Sequence, residues 1–167
     1  MQRASEVAAT GENISKADYD ASNWVVATVP GTVLTSYKNI GAVPNPNYAD
    51  NIFQISESFF NSNFWYPNEF DLPANFKQER LFLNLDGINW KANIYLNGNK
   101  IGRMEGAFIR GMYDITDIAV EGKNVLAIEI EKNAHIGASK EKYEVNTDFN
   151  GGILGADNPT FHASIGW

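Results

Sequence analysis

Two histidines, His135 and His162, and no cysteine make up the conventional nucleophile-activating and metal-binding repertoire of this chain. A serine nucleophile needs a base beside it, and neither histidine stands in a Gly-x-Ser-x-Gly or comparable frame. Both therefore read as surface or packing residues. There is no His-x-x-x-His pair and no EF-hand spacing. The runs Asn150-Gly151-Gly152 and Gly102-Arg103-Met104-Glu105-Gly106 match neither of the glycine patterns that cradle phosphates. No cofactor and no side-chain metal site is expected, while a calcium held by loop carbonyls would leave no mark in the sequence.

Carboxylates are plentiful, with 20 Asp and Glu. Glycoside cleavage requires two of them flanking the scissile bond, which a count alone neither supports nor excludes. Most must be solvated, as the alternation around Glu129 and Glu131 indicates. A different chemistry is offered where aromatic rings stand beside amides and carboxylates. Sugars present C–H faces that stack on rings and hydroxyls that pair with Asn and Asp. Tyr48 with Asn47, Asp50 and Asn51 has that composition. The same residues also suit a purely structural role, with Tyr48 packing the loop and Asn47 and Asn51 satisfying its turns.

The elements that must position these residues read as β-structure. Lys91 to Leu96, then Asn97-Gly98, then Asn99 to Met104 predicts a hairpin, because Asn-Gly supplies the two φ > 0 positions of a type I′ turn. In that hairpin Ile94 and Leu96 share a face and Tyr95 takes the other. Phe64, Tyr66 and Phe70 alternate against Trp65 and Glu69, and Leu81, Leu83 and Leu85 against Phe82 and Asn84, so both segments predict half-buried strands. Asn124 to Glu131 places Leu126, Ile128 and Ile130 on one face and Glu129 and Glu131 on a wet one. Trp24 to Val29 is a short β-branched run halted by Pro30-Gly31. Thr32 is placed to cap a short helix bearing Val33, Leu34 and Tyr37 on one face, with Gly41 just past its end. Residues 41–63 form a long irregular loop, of the kind more often functional than merely connecting. Tyr113 to Asp117 reads as a turn or short helix. Gln2 to Asn23 is polar and aperiodic, an arm expected to lie across the fold. The last third lacks periodicity apart from a strand-like run near Thr160 to Ile165.

At 167 residues the chain fits one domain able to bury a core unaided. The net charge of −7 argues against nucleic acid, whose binders carry basic stripes. Nothing approaches the 18 consecutive apolar residues of a membrane span, and Met1 to Glu6 is not followed by a signal-peptide core, so the chain is expected to be soluble. Short strands with frequent turn signals and little helix predict an all-β jelly-roll β-sandwich.

Taken in order, several segments resemble the N-terminal sugar-binding, galactose-binding-domain-like region of family 2 glycoside hydrolases. They are Val29-Pro30-Gly31-Thr32-Val33, Phe64-Trp65-Tyr66 with Phe70, and the run from Leu85-Asp86-Gly87 through Asn89-Trp90 to Leu96-Asn97-Gly98. Tyr113-Asp114-Ile115-Thr116 and Gly122-Lys123-Asn124-Val125-Leu126-Ala127-Ile128 complete the frame. The loop from Pro46 to Asn51 and the closing Ile165-Gly166-Trp167 are most similar to the β-mannosidase and exo-β-glucosaminidase branches, with β-galactosidases in the same group. One departure is Pro67, where relatives usually carry Arg, so that arginine's role does not carry over.

The resemblance implies a parent that is a retaining exo-glycosidase, continuing past Trp167 into an immunoglobulin-like domain and a (β/α)8 barrel that holds both catalytic Glu residues. This domain, residues 1–167 with 1–23 as its arm, would then hold no catalytic residue. It would form one wall of the pocket for a terminal non-reducing sugar, with Asn47, Tyr48, Asp50, Asn51 and Trp167 as substrate-binding residues. Its partners would be the carbohydrate and the remaining domains of the parent, with no nucleic acid or membrane involved. A periplasmic or secreted parent is expected, although the residues themselves leave the compartment open. The alternative reading is a stand-alone carbohydrate-binding module or lectin, and a further one is an independent enzyme.

Overall fold

The structure, a computed structural model, describes residues 1–76, 80–89, 91–106 and 108–132. In chain order these form β1 (Gln2–Arg3), α1 (Gly11–Ile14), α2 (Val33–Asn39), α3 (Asn51–Gln54), β2 (Phe64–Leu72), β3 (Phe82–Leu85), β4 (Lys91–Leu96), β5 (Asn99–Glu105), β6 (Gly111–Asp114) and β7 (Gly122–Ile130). The chain divides into two compact units. One comprises Met1–Trp24 with Ser62–Lys132, and the described part of the other is Val25–Asn61.

The first unit is an all-β sandwich. A five-stranded antiparallel sheet in the order β1-β2-β7-β4-β5 faces a two-stranded sheet of β3 and β6. Between them lies a core of Ala92, Ile94, Leu96, Ile115, Ala119 and Leu126, against which Phe70, Leu81, Leu83, Leu85, Ile128 and Ile130 also pack. Alternation in β3, β4 and β7 thus points the expected residues inward, because a strand's side-chain period of two leaves no other choice.

The hairpin forms where expected. Asn97 has φ 48° and Gly98 φ 80°, the two left-handed positions of the turn. Leu96 pairs with Asn99 and Tyr95 with Lys100, but Ile94 then pairs with Gly102, so Ile101 is an extra residue on β5, a bulge not foreseen. Gly102 is required there, since a Cβ would stand 2.1 Å from Cε1 of Tyr113.

Pro67 lies within β2, opposite Ala127 of β7. The Asn63 carbonyl accepts from the Ala4 N–H on the β1 side, and every second residue directs its backbone the same way. Pro67 therefore turns its missing donor towards that side. There β1 pairs with Phe64 and Trp65, so among the described residues no strand lies beside Pro67 on that side, as expected for a strand proline.

Three expectations need correction. The second face of β7 is not wet along its length: Ala127 packs with Trp65, Tyr95 and Ile14, and Val7, Ala9, Tyr19 and Trp24 close over them. The N-terminal arm, whose α1 buries Ile14, supplies that cover. Tyr113 and Asp114 belong to β6 rather than to a turn or helix, since Tyr113 pairs with Leu83 and Asp114 with Phe82. The chain turns only afterwards, where the Asp114 carboxylate accepts from the Thr116 N–H at 3.1 Å. Finally, the β-branched run before Pro30 forms no strand, and Val26 and Val29 stand exposed. Propensity alone does not make a strand.

In the second unit α2 begins as expected, with Thr32 Oγ1 accepting from the Thr35 N–H at 3.0 Å. It ends in a Schellman motif: Gly41, at φ 75°, donates to the Lys38 carbonyl, and Ala42 to that of Tyr37. Leu34, Tyr37, Val43, Ile55 and Phe60 are buried, and the rings of Tyr37, Phe59 and Phe60 meet at tilted or edge-on angles. The strand-like run near Thr160, His135, His162 and Trp167 lie outside the described residues.

Candidate functional site

Residues 44–54 make a loop between two buried side chains, Val43 and Ile55. Asn45 organises it. Its Oδ1 accepts from the Asn47 N–H at 3.2 Å, the Asx-turn that an Asn-Pro-Asn run can form. Its carbonyl accepts from the Tyr48 N–H at 3.2 Å and from Asn51 Nδ2 at 2.9 Å. The Asn51 N–H donates in turn to the Tyr48 carbonyl. Ala49 is left-handed at φ 49°, which turns the chain sharply between Tyr48 and Asp50. Asp50 then starts α3, its carbonyl accepting from the Phe53 N–H at 3.0 Å and its Oδ1 from Gln54 Nε2 at 3.4 Å.

The structure therefore brings Asn47, Tyr48, Asp50 and Asn51 into one self-bonded loop. Asn47, Tyr48 and Asp50 are exposed and Asn51 is half-buried. The structural role anticipated for Asn51 is realised in its bond to Asn45. The amide keeps its second N–H and the lone pairs of Oδ1 for another partner. Two residues escaped the sequence reading. Asn45 carried a usable signal in its Asn-Pro-Asn context. Phe53, 74% exposed, carried none, because burial is not written in a single aromatic.

A second polar constellation lies on the face of the large sheet opposite its core. Glu129 accepts from Asn63 Nδ2 at 3.0 Å and Asn93 Nδ2 at 3.1 Å. Asn93 Nδ2 also donates to Glu131 at 3.1 Å, and Arg103 grips Glu131 through two nitrogens, at 2.8 and 3.2 Å. Lys91 holds Glu105 at 2.5 Å. That hydrogen bond and charge keep the Glu105 carboxyl below its ordinary range. Nearby, burial first and then the charges of Glu12 and Glu129 push the Tyr95 hydroxyl upward. Asn93 Oδ1 is buried without a partner. Such matched charges suit a structural network better than acid–base work, where a carboxyl must be raised rather than lowered. Among the described residues no group of three or more His, Cys, Asp or Glu could hold a metal ion.

Comparison with known proteins places this architecture. The profile of the glycosyl hydrolase 2 galactose-binding domain-like family matches residues 10–167. A mannosylglycoprotein endo-β-mannosidase of Lilium longiflorum is 35% identical over 121 residues, covering 68% of this chain and 12% of that protein. An exo-β-D-glucosaminidase of Streptomyces avermitilis is 29% identical over 136 residues, covering 80% of this chain and 15% of that one. The chain thus spans only 12% and 15% of the length of these two relatives. The crystal structure of an Amycolatopsis orientalis exo-chitosanase superposes with a TM-score of 0.73 at 24% identity, over 81% of this chain and 16% of that one, and shares its fold. A β-D-mannosidase from Dictyoglomus thermophilum gives 0.57 at 30% identity, over 63% of this chain and 13% of the other. The jelly-roll sandwich and the profile match together show that the chain belongs to the glycosyl hydrolase 2 galactose-binding domain-like family.

Proposed function

We propose that this chain is the non-catalytic sugar-binding domain of a family 2 glycoside hydrolase and forms one wall of the substrate pocket of a retaining exo-glycosidase. The observation that carries the reading is the family match over residues 10–167. Relatives of the chain are named as a mannosylglycoprotein endo-β-mannosidase, an exo-β-D-glucosaminidase and a β-galactosidase. The 44–54 loop supports the assignment of the wall, because its own hydrogen bonds hold the Asp50 carboxylate, the Asn51 amide and the backbone of Tyr48 in place before any ligand arrives, and such preorganisation lowers the cost of binding. Asn51 is assigned a contact with a hydroxyl of the terminal sugar, flanked by Asn47, Tyr48 and Asp50, with Trp167 as a further wall residue.

The test is Asn51→Ala in the full-length enzyme. If the contact strengthens in the transition state, kcat/KM falls by about ten- to a hundredfold, or about 1.4 to 2.7 kcal/mol. The same substitution removes the bond to Asn45 and destabilises the loop by about 1 kcal/mol, so thermal unfolding is measured alongside. Unchanged kcat/KM in a folded variant would return Asn51 to a turn residue.

A further inference from the structure

The turn between β4 and β5, Asn97-Gly98, is a dipeptide that can modify itself, because glycine leaves its backbone nitrogen unshielded beside the asparagine side chain. Attack of the Gly98 nitrogen on Asn97 Cγ forms a C–N bond and breaks the bond to Nδ2. Ammonia leaves with the amide proton, and a cyclic imide remains. Water then opens the imide at either carbonyl, giving aspartate or isoaspartate, and no other reactant is needed.

The structure keeps the two reacting groups apart. Asn97 Oδ1 accepts from the Val125 N–H at 3.0 Å, and Nδ2 donates to the Ile118 carbonyl at 3.1 Å and to Asn124 Oδ1 at 2.8 Å. The Gly98 N–H donates to Ser15 Oγ at 3.0 Å, and Ser15 is fully buried. Cγ cannot swing onto the nitrogen until these bonds break. Three of them belong to the sandwich, but the fourth belongs to the arm, one residue past α1. A Cβ on Gly98 would also meet the Glu12 carbonyl and Lys16 Cε, each at 3.5 Å, so the arm roofs the turn. A terminal arm opens at a lower free energy than the sheet it covers.

We propose that Asn97-Gly98 is a latent self-modification site kept silent by the docked arm, so that undocking of residues 1–24 exposes the chain to a covalent change. That change runs one way. Aspartate at position 97 has no N–H for the Ile118 carbonyl or Asn124 Oδ1 and sets a charge against both oxygens. Isoaspartate adds a backbone atom to a two-residue turn, whose geometry tolerates none.

The experiment incubates the purified chain at mildly alkaline pH, with and without urea, and follows amide-to-acid conversion at Asn97 by peptide mass spectrometry. Asn150-Gly151, the same dipeptide outside the described residues, gives the reference rate in urea. Both convert comparably in urea, whereas Asn97 without urea is slower by about a hundredfold or more. Ser15→Ala removes the acceptor of the Gly98 N–H. Gly11→Ala keeps that hydroxyl and lifts α1 by a separate route, since its Cβ collides with the Tyr95 ring. Each speeds conversion at Asn97 in the folded chain by about tenfold. Asn93→Ala removes bonds to Glu129 and Glu131 away from the turn and leaves the rate unchanged. Conversion of folded wild type at the urea rate would overturn the proposal. So would acceleration by Asn93→Ala equal to that by Ser15→Ala, which would assign the reaction to unfolding of the whole sandwich. An arm cleaved faster by protease in Gly11→Ala, with Asn97 converting no faster, would overturn it too.

Discussion

Asp114 closes the end of β6 through one carboxylate. Oδ1 accepts from the Thr116 hydroxyl at 2.6 Å and from its N–H at 3.1 Å, and Oδ2 meets Arg80 at 2.6 Å. The Thr116 bonds, more than Arg80, hold its carboxyl below the ordinary range. A carboxyl depressed by folding stabilises the native state above its unfolded pKa of about 3.9, and that contribution is lost as pH falls through the lower folded value. The Tm difference between wild type and Asp114→Ala is therefore expected to be clear at neutral pH and to shrink in acid. A gap that stays constant down to acid denaturation would mean the carboxylate's charge is irrelevant. Asn124 makes the stronger case, being fully buried. It accepts from the Val120 N–H and Asn97 Nδ2, and donates to the carbonyls of Val120 and Gly122. Asn124→Ala orphans several buried groups at once, so a loss of about 3 kcal/mol is expected in denaturant unfolding. Asn97 shows how far sequence reaches at this scale. Its left-handed turn was legible from the dipeptide, but its side chain also accepts from the Val125 N–H and donates to the Ile118 carbonyl. Those partners are distant in sequence, and no local rule names them.

Strands whose alternation is strong were legible as elements, since period two has one physical reading. The arm was legible only as an arm, because its apolar residues are too sparse to show a period. What they meet is a face of β2, β4 and β7 that looks half-polar in sequence. Gly11 is the position where this docking is tightest. A Cβ there would stand 2.4 Å from Cε2 of Tyr95, whose ring also packs 5.7 Å from that of Trp65. Gly11→Ala must push the ring or lift α1, and overpacking of this kind costs about 1 to 3 kcal/mol. The measurement is thermal unfolding together with limited proteolysis of residues 1–24, where faster cleavage in the variant reports the lifted arm. Wild-type Tm and wild-type cleavage would mean that Tyr95 relaxes freely. The bulge at Ile101 was illegible for a related reason, since the Tyr113 ring that needs Gly102 beside it comes from another strand.

At the scale of the whole molecule, the question is whether any carboxylate pair here can cleave a glycosidic bond. A retaining enzyme needs two carboxyl groups about 5 Å apart, one ionised and one held protonated by its surroundings. Among the described residues, Glu105, Glu129 and Glu131 are linked in one polar network through Asn93 and Arg103. Arg103 clamps Glu131, Lys91 holds Glu105, and two amides donate to Glu129. The Lys91 hydrogen bond and charge keep the Glu105 carboxyl below its ordinary range, the reverse of what a general acid requires. The 44–54 loop contributes a single carboxylate, Asp50, already bonded to Gln54. Binding without a transition-state-specific group accelerates nothing. On the proposed reading, in which this chain is a non-catalytic domain forming one wall of a pocket, the purified chain is expected to release no aryl leaving group from any aryl β-glycoside above the uncatalysed rate, and to bind free sugar at millimolar strength or more weakly. Joined to the remaining domains of a family 2 enzyme, the same chain is expected to support turnover. Hydrolysis by the isolated chain that survives repurification and vanishes in Glu129→Gln or Asp50→Asn would overturn this and place a catalytic carboxylate within these residues.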